Sequence, residues 1–173
     1  SLEFDGMDDY VDCGNITSLS NVTNFSYSGW YNQPTLDVGS FLLGTDIDGA
    51  NWITFYTWTD GRIIFQIDKA GVTPYASFDY SLYVTAGQWF HIAVVYNGNG
   101  VTNADKIQIY INGALITSNF SGTMHSSTPG GVNVTTIGKN SFTSDTWRGG
   151  IDEVSFFDYS LSQQDITTIY NGG

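Results

Sequence analysis

Short acidic side chains crowd two places in this sequence. The first is Glu3-Phe4-Asp5-Gly6-Met7-Asp8-Asp9-Tyr10-Val11-Asp12, and the second is Asp152-Glu153, just after Gly149-Gly150. Two kinds of chemistry suit them. A hard cation such as Ca²⁺ takes about six to eight oxygens from carboxylates, backbone carbonyls and water, and an Asp-Gly turn offers the first two. Paired carboxylates can instead act as the acid and base of glycoside hydrolysis. A third set is aromatic: Trp52, Tyr56 and Trp58 recur at even spacing, with Trp147 and Arg148 further on. Asp46-Ile47-Asp48-Gly49 looks like the opening of a calcium loop but lacks the later acids of an EF-hand.

The elements that must position these residues read as strands. Phe25–Tyr31 and Lys106–Ile111 alternate between two faces, and Trp52–Trp58, Arg62–Asp68, the long apolar run Trp89–Tyr96 and Ile151–Phe156 also read as strands. Shorter strands are expected at 2–4, 10–13, 41–45, 76–84, 114–116 and 132–138. Asp60-Gly61 and Asn112-Gly113 mark hairpin turns. Residues 119–131 and 139–147 read as loops. One helix is expected at 162–172, with Ser162 as N-cap, Asp165 at the capping-box position, Leu161, Ile166, Ile169 and Tyr170 facing inward, and Gly172 as the stop. Many short strands, close turns and one terminal helix describe an all-β antiparallel sandwich of the jelly-roll type, a single domain over 1–173.

Composition narrows the function. The chain has 173 residues, enough to bury about 70% of its unfolded surface without disulfides. Seventeen acids face five bases, for a net charge of -12, and Glu occurs only at 3 and 153. Without a basic footprint a nucleic-acid partner is not expected. Cys13 is the only cysteine, so neither an intrachain disulfide nor a cysteine metal cluster can form. No run is apolar enough to enter a membrane. The chain opens Ser1-Leu2 without an initiating Met or leader, which suggests a piece of something longer. Sequons start at Asn15, Asn21, Asn24, Asn119 and Asn133, and they matter only on a glycosylating secretory route.

Five segments in order now carry a resemblance: Leu2-to-Val11, the aromatic strand ending in Trp30, Gln88-Trp89-Phe90-His91-Ile92-Ala93-Val94, Ile109-Tyr110-Ile111-Asn112-Gly113, and Gly150-Ile151-Asp152-Glu153-Val154 followed by Leu161-Ser162. Together they resemble the LamG-like domains of the concanavalin A-like lectin/glucanase superfamily. The resemblance implies two curved antiparallel sheets with adjacent chain ends. It also implies a Ca²⁺ between the first turn and the last strand, held by Asp5 and Asp152, with a carbonyl from Gly6 and a further acid in Asp8. The other reading of the same residues is that Asp5 caps its turn and Asp152 pairs with Arg148.

The glucanase branch of that superfamily carries Glu-x-Asp-x-x-Glu, which is not spelled here, and no nucleophile elbow surrounds a serine. His91, inside an apolar strand, reads as a packed and hydrogen-bonded residue. A non-catalytic binding module is therefore expected, with carbohydrate as the ligand. Trp52, Tyr56 and Trp58 share one strand face and could stack on sugar rings, unless that face is the core. Trp147 and Arg148 are the other candidate contacts. The alternative is a structural or adhesive module of a surface, fibre or viral particle protein, acting through protein contacts. The implied location is extracellular or on a cell or particle surface.

Overall fold

Strand spelling with a period of two becomes two stacked sheets in the computed structural model, which describes residues 1–36, 39–131, 134–140 and 145–172. The strands are β1 (Leu2–Asp5), β2 (Val11–Asn15), β3 (Asn24–Asn32), β4 (Ser40–Asp46), β5 (Trp52–Thr57), β6 (Arg62–Asp68), β7 (Tyr75–Asp79), β8 (Trp89–Asn97), β9 (Ile107–Ile111), β10 (Ala114–Leu115), β11 (Asn119–Ser121), β12 (Val134–Ile137) and β13 (Arg148–Phe157). A one-turn helix α1 (Asn103–Lys106) precedes β9, and α2 (Gln163–Gly172) ends the chain. One sheet runs β1-β13-β3-β8-β9-β10 and the other β11-β7-β6-β5-β4-β12-β2, with all pairs antiparallel. The expected sandwich and the pairing of the two chain ends, β1 with β13, are both present.

The inner faces interdigitate through aromatics. Phe25 and Tyr27 of β3 meet Phe65 and Phe55 of the opposite sheet at ring-centroid distances of 6.3 and 6.0 Å. All four rings are fully buried, as are Ile53, Ile63 and Ile67. Such ring pairs contribute about 0.5–1.5 kcal/mol each beyond the area they bury.

The outer face of the six-stranded sheet is also covered. Ala93, Val95 and Tyr110 pack against Leu161 and Ile166 of the α2 segment, and Tyr170 stacks on Trp30 at 5.6 Å. Ser162 and Asp165 form the anticipated box: the Asp165 N–H donates to Ser162 Oγ, and Asp165 Oδ2 accepts the Ser162 N–H at 2.9 Å. Ser26 Oγ accepts the Leu161 N–H and donates to the Tyr159 carbonyl, tying the entry to α2 onto β3.

Four expectations need correction. The strand expected at 76–84 is Tyr75–Asp79, and Tyr80–Leu82 form a single 3-10 turn after it, with Asp79 Oδ1 accepting the Ser81 N–H. The loop expected at 119–131 begins with an edge strand, β11, too short and polar to show a period. The strand expected at 132–138 is Val134–Ile137, and its positions 132 and 133 lie outside the described residues, as do 141–144 of the following loop. His91 is buried but not hydrogen-bonded. Neither ring nitrogen has a partner, and the imidazole lies between Trp30 and Tyr170 at 5.4 and 6.0 Å.

Burial lowers the His91 pKa from 6.5 to about 4. Between those values the unfolded chain takes up a proton that the folded chain does not, so this contribution to stability is complete above pH 6.5 and is lost as pH falls toward 4. Thermal melts from pH 7 to pH 4.5 should show a falling midpoint. His91→Phe, which keeps a ring against Trp30 and Tyr170, should flatten that slope, and an unchanged slope would contradict this role.

Candidate functional site

Among the described residues no helix covers the outer face of the seven-stranded sheet, and strand alternation decides what appears there. Ile53 and Phe55 of β5 are fully buried, so Trp52, Thr54 and Tyr56 point outward, and Trp58 continues the row just past the strand end. The aromatic row is thus a platform and not the core. Phe41 of β4 is the cross-strand partner of Tyr56, and their rings stack at 5.0 Å and 24°. Trp58 meets Tyr56 edge to face at 5.8 Å and is 48% exposed.

These rings form the floor of an open groove of about 470 Å³ lined by Phe41, Gly49, Trp52, Thr54, Tyr56, Trp58, Gln66, Asn140 and Asp145. Tyr56 donates to Gln66 Oε1 at 3.3 Å, and burial is the main cause of its raised phenol pKa, so the hydroxyl stays protonated. Asn140 and Asp145 also line the groove, and Lys139-Asn140 approaches the sheet closely because β4 has Gly44 there. A Cβ at Gly44 would lie 2.8 Å from the Lys139 carbonyl. At the other side the Gly49 loop is held by its own acids: Asp46 Oδ1 accepts the Gly49 N–H, and Asp48 accepts the Ala50 N–H and the Asn51 amide. Asp46 and Asp48 therefore act as turn-forming residues.

Phe41, Gln66, Asn140 and Asp145 were not singled out from the sequence. Gln66 was within reach: the turn at 58–61 sets the register that places it opposite Thr54. Phe41 depends on a register shift between 41 and 43 that buries both Leu42 and Leu43. Asn140 and Asp145 come from a segment without periodicity.

Trp147 and Arg148 do not belong to the groove. Trp147 is 0% exposed and packs edge to face on Tyr31 at 5.2 Å, inside the sandwich. Its backbone N–H donates to the Gly138 carbonyl at 2.7 Å, which turns the indole inward. Arg148 pairs across the ladder with Asp5, and its Cβ lies 3.0 Å from where a Gly6 side chain would begin.

The expected cation site is split. Leu2 pairs with Ile151 and Asp5 with Arg148, so Asp152 stands four residues along the ladder from Asp5, about 13 Å away. Asp152 instead takes the Ser1 ammonium at 3.0 Å and the Glu153 N–H at 2.9 Å. The expected pairing with Arg148 is absent too. The carboxylates that converge are Asp5, Asp8 and Asp9, whose oxygens lie within 4.8 Å of one another on an exposed turn. Asp5 Oδ1 also accepts the Met7 N–H, and Asp9 Oδ2 the Asp5 N–H. Among the described residues these three, with Gly6 inside the turn, are the ones that could hold a hard cation.

A sequence model of the Concanavalin A-like lectin/glucanases superfamily, of laminin G type, matches residues 5–167. No curated protein matches the sequence significantly. Three solved structures share the fold. Domain 4 of AbnA, a GH43 extracellular arabinanase from Geobacillus stearothermophilus, in complex with arabinotriose, aligns with TM-score 0.73 and 20% identity over 97% of this chain and 75% of that one. The heptameric SAP-like pentraxin of Limulus polyphemus aligns with TM-score 0.63 and 15% identity over 97% and 80%. The botulinum neurotoxin serotype D binding domain aligns with TM-score 0.73 and 18% identity over 98% of this chain and 41% of that one, so this chain spans under half its length.

Because Trp147 fills the core, Trp147→Ala should cost about 3–5 kcal/mol of unfolding free energy in urea denaturation. A loss below about 1 kcal/mol would return Trp147 to the surface.

Proposed function

The chain belongs to the concanavalin A-like lectin/glucanase superfamily, and from that premise we propose that it is a non-catalytic module that binds an uncharged carbohydrate in the groove over β4, β5 and β6. The observation that carries this reading is the contiguous floor of Phe41, Tyr56, Trp58 and Trp52, with Gln66, Asn140 and Asp145 above it. Sugar rings present apolar faces that stack on aromatics, and their hydroxyls pair with amides and carboxylates at the edge. A volume of about 470 Å³ lies within the usual span of small-ligand sites, roughly 300–1,000 Å³. The arabinotriose complex of the Geobacillus domain, on the same fold, agrees with a sugar ligand.

Charge favours a neutral sugar. Asp145 lines the groove, and the two cations on adjoining segments are engaged elsewhere: Arg62 donates to Asp60 from both Nε and Nη2, and Lys139 Nζ sits 4.6 Å over the Tyr10 ring. A sulfated or carboxylated glycan would meet a chain of net charge -12 without a free basic partner in the lining. The non-catalytic reading rests on the same lining. Among the described residues it holds one carboxylate, whereas glycoside hydrolysis uses two across the scissile bond. The module works outside the cell or on a particle surface, where such ligands are met, and no helix among the described residues is long and apolar enough to cross a membrane.

Calcium is the second element of the proposal, supported by the convergence of Asp5, Asp8 and Asp9 on one turn. Bound there, the ion would supply charge neutralisation to the turn between β1 and β2, far from Asp152. Added calcium should raise the thermal midpoint and a chelator reverse it, since a ligand held only by the folded state stabilises it. Asp8→Asn with Asp9→Asn should abolish the shift, while Asp152→Asn should leave it. Equal midpoints with calcium and chelator would remove the ion from the account.

For the groove, calorimetry against neutral and acidic oligosaccharides should find binding in the neutral set only. Trp58→Ala, at an exposed position, should weaken it at least tenfold, about 1.4 kcal/mol, with the melting midpoint nearly unchanged. Preference for the acidic set, or full affinity without the indole, would overturn the reading.

A further inference from the structure

The Gly149-Gly150 pair that precedes Asp152 is closely approached by neighbouring strands. A Cβ at Gly149, whose φ is +121°, would lie 2.1 Å from the Asn32 carbonyl, so this glycine lets β13 close on β3. A Cβ at Gly150 would lie 2.5 Å from Trp89 Cη2 and 3.3 Å from Glu3 Oε1. Trp89 therefore reaches from β8 across β3 and rests on the bare backbone of β13, with the Glu3 carboxylate beside it, and it remains 40% exposed. Two residues further along, Asp152 pairs with Trp30.

The strand then bulges. In a regular strand Asp152 and Glu153 would point to opposite faces. The register shifts between Asp152 and Ser155, and Glu153 has a left-handed backbone with φ of 48°. Non-glycine residues seldom adopt that conformation. Asp152 and Glu153 both line a single recess of about 280 Å³ together with Trp30 and Trp89. Among the described residues no Lys or Arg lines it, and the Ser1 ammonium pairs with Asp152 at 3.0 Å. The Glu153 backbone N–H is taken up by Asp152, while its carboxylate accepts no hydrogen bond or ion pair among the described residues. Hard metals need several converging oxygens, whereas a weakly hydrated organic cation is held by aromatic faces with nearby negative charge.

We propose that this recess, on the opposite sheet from the sugar groove, is a second binding site, for an alkylammonium headgroup. Two indoles supply the cation-attracting surface and Glu153 the counter-charge, with Asp152 and Glu3 adding to the local potential. The site is independent of the groove, since the two share no lining residue.

The probe is tetramethylammonium chloride, titrated by calorimetry at an ionic strength held constant with sodium chloride. Saturable binding is expected, weakened at least fivefold by Trp89→Ala and by Glu153→Gln, retained in Trp89→Phe, and unaffected by Trp58→Ala. Both weakening positions are exposed, and a melt of each variant checks that it is folded. Heats that match a sodium chloride blank, or the same affinity in folded Trp89→Ala, would overturn the proposal.

Discussion

The inward placement of Ile53 and Phe55 is the constraint on which the rest of the site depends. A strand has two faces, and β5 is central in its sheet, so burying one set of side chains commits the other set to solvent. Phe55 is clamped by Tyr27 and Phe65, rings from both sheets, which leaves little freedom to slip the register. A slip of one residue would exchange the core and the groove. The aromatic platform is thus held by the same packing that holds the sandwich together, and its residues need little support of their own.

The second consequence is asymmetry between the two sheets. Helix α2 lies over the outer face of the six-stranded sheet, where Ser26 anchors its entry and Gln163 donates to the Gly113 carbonyl at the β9–β10 turn. That cover buries His91 and the indole nitrogen of Trp30 without hydrogen-bond partners, and it leaves a recess beside Trp30 and Trp89. Nothing comparable covers the middle of the seven-stranded sheet among the described residues. The open face is flanked by short loops, one admitted by Gly44 and one tied by Asp46 and Asp48, which give a groove with walls.

Most of the architecture was legible in the sequence because alternation, hairpin turns and a helix cap are local signals. The Asp60-Gly61 and Asn112-Gly113 turns fall where expected, as does the Ser162–Asp165 box. Three features of the sites were not local. Trp147 lies in a polar stretch that looks exposed, yet one backbone hydrogen bond to Gly138 turns it into the core. Asp5 and Asp152 sit on paired strands as anticipated, but whether two side chains meet depends on register, and a ladder offset of four residues separates them. The bulge at Glu153 falls where two acids follow one another, and the pair Asp152-Glu153 does not itself say which way each side chain turns. For the groove, the choice between core and platform required knowing which of two apolar faces of β5 met the other sheet.

The central claim is that the ligand lies on the face shared by Tyr56 and Trp58. The five tryptophans serve as reporters placed in different environments: Trp52 and Trp58 in the groove, Trp30 and Trp89 at the opposite sheet, and Trp147 in the core. Nitrogen-labelled protein titrated with a neutral oligosaccharide and followed through its indole N–H resonances tests the claim most directly. The account predicts saturable shifts of the Trp58 and Trp52 signals, with Trp147, Trp30 and Trp89 unmoved. Shifts confined to Trp30 and Trp89, or no shift across a panel of neutral oligosaccharides, would contradict it.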